Sequence, residues 1–309
     1  MKLAVVIPAF NEENTISKVI KNIPKDCADS VIIIVVDDGS TDDTYKEAVK
    51  AGADKIVRHR QNMGLAKTFR DGLEAALKTE ADIIVNIDAD GQYEEKEICK
   101  IIEPIINGEA DIVLGSRFLG WIEEMPFRKK LGNKISTWVT SFASGMKLSD
   151  AQTGFRAFSR EAALHINVMS DYTYVQETII QAVSKGFKIV EVPIKFYRRE
   201  GKSRLISSIF KYAKLAGATI LKTHLYYKPL RTFVLIGSAV FFVGLLLSAR
   251  VLIHYIITGM VTPYLPTAIL SAILLIVGFQ TIVLGLIADM IGANRKIQEE
   301  ILYKLRKKK

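Results

Sequence analysis

Along the first 228 residues short apolar runs alternate with charged segments, whereas two later stretches are apolar almost without interruption. Runs rich in β-branched residues at 31–36 and 83–87, with others at 2–7, 55–58 and 111–114, read as strands. Between them the pattern predicts helices opening after Asn11-Glu12-Glu13, ending at Leu77, and running from Glu95 to Ile106. Asn11 is expected to cap the first of these, with the two acids at its positive end. Polar clusters follow nearly every strand, the last being Gly115-Ser116-Arg117 after Leu114. This alternation predicts an α/β fold, a mostly parallel sheet with helices on both faces and a ligand beyond the strands' carboxyl ends.

Residues 233–257 and 265–291 form the apolar runs. As helices they would extend about 38 and 40 Å, enough to cross a bilayer with some tilt. Soluble helices of that length keep a polar face, so a transmembrane hairpin is expected within 229–291. Its loop, 258–264, has no charge, while Lys222, Lys228 and Arg231 precede it and Arg295, Lys296 and the 304–309 cluster follow. Basic flanks favour the cytoplasmic side, so the chain is expected to be a two-span cell-membrane protein with both termini cytoplasmic. Arg250 and Asp289 are placed at the membrane interfaces, Arg250 by snorkelling.

Before the hairpin, apolar residues at 205, 206, 209, 210, 213, 216, 217, 220 and 221 have helical spacing with lysines between, which suits juxtamembrane helices over 205–228 lying on the bilayer. Ile297, Ile301 and Leu305 in the tail, 292–309, give a short amphipathic helix and a candidate homo-oligomer contact. Residues 1–204 remain as a cytosolic domain, and 3–7 is too short for a signal-peptide core.

Net charge is +9, from 42 basic and 33 acidic residues. The last eighteen residues supply seven Lys/Arg and two Glu, so more than half of the excess lies beside the membrane. That favours membrane lipids with anionic headgroups as partners, not nucleic acid. Cys27 and Cys99 have no metal-binding spacing and are expected to stay reduced.

The chemistry centres on Asp88-Ala89-Asp90-Gly91-Gln92, directly after the 83–87 run. In an extended segment positions i and i+2 share a side, so Asp88 and Asp90 can face one divalent cation, with Gln92 adding a neutral oxygen. Asp37-Asp38-Gly39-Ser40 ends the second strand and suits a ribose hydroxyl or a base N–H, while turn and capping chemistry accounts for it equally well. Asn62-Met63-Gly64 before a helix can aim backbone N–H groups and Lys67 at a phosphate. Arg117, Arg128, Arg156, Arg198, Arg199 and Arg204 lie near glycines or polar residues, and several converging would suit a phosphate acceptor. No Gly-x-Gly-x-x-Gly or Walker loop is present, which argues against dinucleotide redox chemistry and ATP hydrolysis.

Together Val6-Ile7-Pro8-Ala9-Phe10-Asn11-Glu12-Glu13, Val36-Asp37-Asp38-Gly39-Ser40-Thr41-Asp42, Asn62 with Gly64, the Asp88–Gln92 motif, Gly115-Ser116-Arg117, Thr153-Gly154-Phe155-Arg156 and Val192-Pro193-Ile194 through Arg204 resemble the inverting family 2 glycosyltransferases of the GT-A fold. Within them the likeness is to polyprenyl- and dolichyl-phosphate sugar synthases, over about 200 residues in order. The resemblance implies a nucleotide-sugar donor bound by Pro8, Ala9, Glu12, Asp37, Asp38, Lys67, Asp88 and Ala89. It implies Mg²⁺ or Mn²⁺ on Asp88, Asp90 and Gln92, with Asp90, Arg117 and Arg199 catalytic. A polyprenyl or dolichyl phosphate acceptor would meet Arg117, Arg128, Arg156, Arg199, Ser203 and Arg204. Glu177, where hydroxyl-acceptor relatives keep a base, is expected to orient groups. Ser203-Arg204 departs from the family's Ser-Lys, and Gly91-Gln92-Tyr93 is similar to glucose or N-acetylglucosamine members more than to the Leu-Ser-His form of mannose synthases.

Overall fold

The computed structural model describes residues 1–170, 173–198 and 229–308, which leaves Arg199, Ser203, Arg204 and the expected juxtamembrane helices of 205–228 outside it. The chain divides into two units, Met1–Thr223 with Leu302–Lys309, and His224–Ile301.

Among the described residues the first unit has seven strands: β1 (Lys2–Ala9), β2 (Ser30–Asp37), β3 (Lys55–Arg58), β4 (Ile83–Asn86), β5 (Ile112–Ile122), β6 (Arg156–Ser159) and β7 (Ile189–Phe196). Their order is β3-β2-β1-β4-β6-β5-β7. Strands β1 to β4 pair in parallel, as do β5 and β7, whereas β6 runs against its neighbours β4 and β5. Among the described residues of 1–198 the unit also has helices α1 (Ile16–Asn22), α2 (Thr44–Ala51), α3 (Leu65–Leu77), α4 (Ile98–Ile106), α5 (Phe127–Ser144), α6 (Arg160–His165) and α7 (Val175–Ser184).

Both faces of the sheet are covered, which is why residues 3–9 of β1 and 83–85 of β4 are apolar and do not alternate with polar residues. Leu3, Val5 and Ile7 of β1 pack with Val19 and Ile20 of α1 and Ile101 and Ile102 of α4. Ala4 and Val6 point the other way, into a layer with Phe69 and Leu73 of α3, Leu164 of α6 and Ile179 of α7. Close packing of α3 on β1 requires Gly72, where a Cβ would stand 2.4 Å from Val6 Cγ1.

Three local expectations change. Asn11 does not cap α1: the N-cap position is Thr15, and Asn11 sits at φ 55° with its side-chain oxygen accepting the Thr41 N–H at 2.8 Å. It joins the loops after β1 and β2, and the first turn of α1 holds no acid. Strand β5 does not stop at Leu114 but continues through Arg117 to Ile122, pairing with β7 on both sides of an irregularity between Ser116 and Trp121. The helix expected from Glu95 opens as a 3₁₀ turn, Glu95–Glu97, before α4.

Cys27 and Cys99 are free thiols, and burial followed by a hydrogen bond with Cys99 pushes Cys27 up to about 12. Their sulfurs and an Asp26 carboxylate oxygen lie within 4.8 Å of one another, a proximity invisible in the sequence spacing.

The second unit contains α8 (Pro229–Thr258) and most of α9 (Leu265–Lys307), both long and apolar enough to cross a membrane. Helix α9 continues through Gly292, so the separate tail helix expected there is its extension. In the first unit Tyr303 donates to Glu161 Oε1 at 2.9 Å and Arg306 Nη1 to Ile166 O at 2.7 Å.

Candidate active site

The carboxyl ends of β1, β2 and β4 carry three polar loops that are tied together. Asn11 N–H donates to Ser40 Oγ at 2.9 Å and Glu12 N–H to Thr44 Oγ1 at 2.7 Å, joining the first loop to the second. Thr15 Oγ1 donates to Ala89 O at 2.7 Å, joining the first to the Asp88-Ala89-Asp90 segment. Pro8, Ala9 and Ala89 are buried and form the apolar floor, while Glu12, Asp88 and Asp90 are half-buried at its edge.

Asp88 and Asp90 lie just past β4, with Ile87 between the strand and the first acid. Asp90 Oδ1 accepts the Gln92 N–H at 3.2 Å across Gly91, whose φ of 69° makes the turn. Gln92 Nε2 donates to Tyr197 O at 3.0 Å, which leaves the amide oxygen as the ligating end of that side chain. Above Asp88 stands Gly154: a Cβ there would lie 2.5 Å from Asp88 Oδ2 and 2.7 Å from Oδ1. Two carboxylates and an amide oxygen are a hard donor set that suits Mg²⁺ or Mn²⁺, in a cradle a single methyl group would fill.

Behind the carboxylates is a buried polar floor to which sequence reasoning assigned no role. Asn86 Nδ2 donates to Gly154 O at 2.8 Å and to Tyr174 Oη at 3.0 Å, and Gly154 N–H donates to Tyr93 Oη at 3.1 Å. Burial pushes Tyr93 up to about 12 and holds Tyr174 well above the usual phenol range, so both stay neutral beside Asp88. Their sequence signal is slight: Asn86 is a single polar residue inside an apolar run, and Tyr93 and Tyr174 lie in polar segments that give no sign of burial.

On the other side of the floor the loop after β2 folds onto residues 61–64. Asp38 Oδ1 accepts the Met63 N–H and Oδ2 the Gly64 N–H, at 2.7 and 3.0 Å. His59 bridges Asp38 Oδ1 at 2.7 Å and Asp71 Oδ2 at 2.9 Å, and Lys67 pairs with Asp71. Gly39, at φ 71°, fits because a Cβ would collide with Gln61 backbone at 2.4 Å. Asp38 and Lys67 therefore stand at the site inside a hydrogen-bonded network that sequence reasoning found only in part. His59 and Asp71 were missed, although Asp71 lies one helical turn after Lys67.

Three expected residues turn out to be supports. Asp37 is fully buried, accepts the Ser40 N–H at 2.9 Å and pairs with Arg58 Nε at 3.1 Å, so it shapes the turn and does not face a nucleotide. Arg156 is also fully buried and cannot meet an acceptor phosphate. Its guanidinium donates to Thr153 O, Val175 O, Thr178 Oγ1 and Ala151 O at 2.7 to 3.0 Å, joining the loop before β6 to α7, and burial lowers its pKa. Glu177 accepts the Met169 and Ser170 N–H groups at 3.0 and 2.9 Å and so holds the segment before α7.

Arg117 is nearly buried, and its Nε and Nη2 grip Asp150 at 2.6 and 2.8 Å. Burial opposes its charge, but Asp150 outweighs that and holds the guanidinium above its ordinary pKa. Asp88 contributes to the same field, so Arg117 lies within electrostatic reach of the carboxylates. Arg128 falls in the first turn of α5.

A model described as glycosyl transferase family 2 matches residues 4–166. The chain is 37% identical over 214 residues to the UDP-N-acetylglucosamine–dolichyl-phosphate N-acetylglucosaminyltransferase of Methanococcus voltae, covering 62% of this chain and 83% of that one. It is 30% identical over 221 residues to the polyprenol monophosphomannose synthase of Mycolicibacterium smegmatis, covering 68% and 83%. Among solved structures it resembles glucosyl-3-phosphoglycerate synthase from Mycobacterium tuberculosis in complex with Mn²⁺, UDP-glucose and phosphoglyceric acid. The TM-score is 0.58 at 23% identity, covering 72% and 79%, a likeness of fold.

Proposed function

The chain belongs to glycosyl transferase family 2, and from that premise we propose that it moves a sugar from a nucleotide-sugar to a polyprenyl or dolichyl phosphate with inversion at the anomeric carbon. Similarity to a dolichyl-phosphate N-acetylglucosaminyltransferase and a polyprenol monophosphomannose synthase supports the acceptor class. The observation that carries the reading is the Asp88 and Asp90 pair at a strand's carboxyl end, with Gly154 packed on Asp88 and no room for a side chain.

Asp88, Asp90 and the Gln92 amide oxygen would hold Mg²⁺ or Mn²⁺, whose Lewis acidity stabilises charge on the departing diphosphate. Pro8, Ala9, Glu12, Asp38, Lys67 and Ala89 border the donor. A phosphate monoester has its second pKa near about 6, so the lipid phosphate is already an anionic nucleophile at neutral pH. Its oxygen forms the new bond to the anomeric carbon as the bond to the nucleoside diphosphate breaks, and no general base is required. Glu177 fits this scheme, because both its oxygens accept backbone N–H groups. Arg117 contributes a fixed positive field near Asp88, while Arg128, Arg199, Ser203 and Arg204 are assigned to the acceptor phosphate.

Gly91-Gln92-Tyr93 favours UDP-glucose or UDP-N-acetylglucosamine over GDP-mannose. The test is incubation of the purified chain with a panel of UDP- and GDP-sugars, Mn²⁺ and a short polyprenyl phosphate, with the lipid product identified by mass spectrometry. A glycosyl-phosphoryl lipid from a UDP-sugar is the expected product; donor turnover with no lipid product would overturn the acceptor class.

A further inference from the structure

Helix α5 is built inside out. Its buried face consists of small polar residues that hydrogen-bond to the protein: Thr137 Oγ1 accepts the Ala151 N–H at 3.0 Å and Ser136 Oγ accepts Gln152 Nε2 at 2.8 Å. Its outward face is apolar. Phe127, Leu131, Ile135, Trp138 and Phe142 fall within about 80° of the helix circumference at 100° per residue, and Phe127, Trp138 and Phe142 are 77%, 70% and 79% exposed. Trp138 and Phe142 stack on each other at 6.4 Å.

The charges are equally out of place for a helix surrounded by water. Arg128, Lys129 and Lys130 occupy the first turn, where the helix dipole favours acids, and no acid is present there. From Glu124 to Asp150 the sequence has five cations, the others being Lys134 and Lys147, and no intervening acid. Exposed Lys130 and Lys134 border the apolar arc on one side.

An apolar face of aromatics bordered by lysines is complementary to a bilayer surface with anionic headgroups, which covers the rings and offsets the charge together. We propose that α5 lies in such a surface, with Trp138 and Phe142 among the acyl chains and Lys130 and Lys134 at the phosphates. Its polar face, through Ser136 and Gln152, then fixes the loop that carries Gly154 over Asp88 at the level of the lipid headgroups. The proposal does not depend on which sugar is transferred or on the acceptor.

The chain contains two tryptophans, Trp121 and Trp138, so Trp121→Phe leaves Trp138 as its sole reporter. The full chain is placed in nanodiscs of phosphatidylcholine and phosphatidylglycerol brominated along the acyl chains. The expected result is loss of Trp138 emission relative to unbrominated discs and protection from iodide. Emission indifferent to bromine and open to iodide would overturn the proposal, as would indifference to both with cross-linking between copies at this face. A nitroxide at Phe142→Cys, with Cys27→Ser and Cys99→Ser, reads the same depth should Trp121→Phe fail to fold. Collision with oxygen supports insertion; collision with aqueous nickel at the rate of a fully hydrated label refutes it. Neither readout involves sugar transfer, so either reading can fail alone.

Discussion

Gly154 and Asp90 test the carboxylate site one atom at a time. In Gly154→Ala the new methyl must displace the Asp88 carboxylate, 2.5 Å away, or lift the loop before β6. Mn²⁺ affinity is expected to fall about 10–100-fold, as for lost positioning around other metal ligands, read by calorimetric titration, with melting close to the parent. Wild-type affinity would mean that Asp88 is not a ligand. Asp90→Ala should abolish transfer while the protein remains folded in membranes; normal turnover would remove the metal assignment. Arg156 makes the opposite prediction. Arg156→Ala leaves several buried acceptors unpaired and should cost about 3 kcal/mol or more in stability, with little change in the acceptor KM of whatever remains folded. An acceptor KM that rises with unchanged melting would restore it to the phosphate site. The placement of Asp88 and Asp90 just past β4 was legible because it follows from the end of an apolar run and the spacing of the two acids. Asp37 and Arg156 were misread because residue type does not reveal whether a charge ends in a cleft or inside a hydrogen-bonded corner.

Among the elements, the two apolar helices show what periodicity conveys and what it omits. Their existence followed from length and composition, but their packing depends on residues hydropathy scarcely registers. Besides Pro229 at the start of α8, the buried positions are Gly237, Gly244 and Val251 on α8 and Ser271, Gly278 and Gly285 on α9, spaced by seven. A Cβ on Gly278 would stand 2.6 Å from Phe241 N, so backbone meets backbone there. Gly278→Val should destabilise the hairpin by about 1–3 kcal/mol, seen as a lower melting temperature of the full chain in lipid; an unchanged melt would show that the helices separate freely. The 3₁₀ turn before α4 carries a pH-dependent cost instead. Burial raises the Glu95 pKa above its ordinary 4.5, so folding penalises its charged form. A raised folded pKa favours the fold at pH below the unfolded value and loses that advantage as pH rises through the folded one. Glu95→Gln should therefore melt higher than the parent at neutral pH and alike below about pH 4, in matched buffers. A constant difference across that range would show that the carboxylate charge is not the cause.

For the whole molecule, the sequence pattern conveyed the α/β class, the mostly parallel sheet and two candidate spans, because each rests on local periodicity. It did not convey that β6 runs antiparallel between β4 and β5, since strand direction is set by a pairing between residues 70 or more positions apart. Nor did it mark α5, whose apolar face looks like an ordinary core stripe until burial shows which side is covered. Orientation across the membrane is again a matter of charge. The loop 258–264 has none, whereas Arg231 precedes α8's apolar core and Arg295, Lys296 and the terminal lysines follow that of α9. Moving Lys or Arg through the hydrocarbon centre costs roughly 2.5 to 3.5 kcal/mol per residue on the insertion scale, and the uncharged loop costs far less. We propose that the loop crosses and both termini stay in the cytoplasm. With Cys27 and Cys99 replaced by serine, a cysteine at Met260 should react with an impermeant maleimide added outside intact cells, and one at Lys308 only after lysis. Labelling at 308 before lysis would place the basic tail, and the carboxylate site with it, on the wrong side of the membrane for a cytosolic nucleotide-sugar.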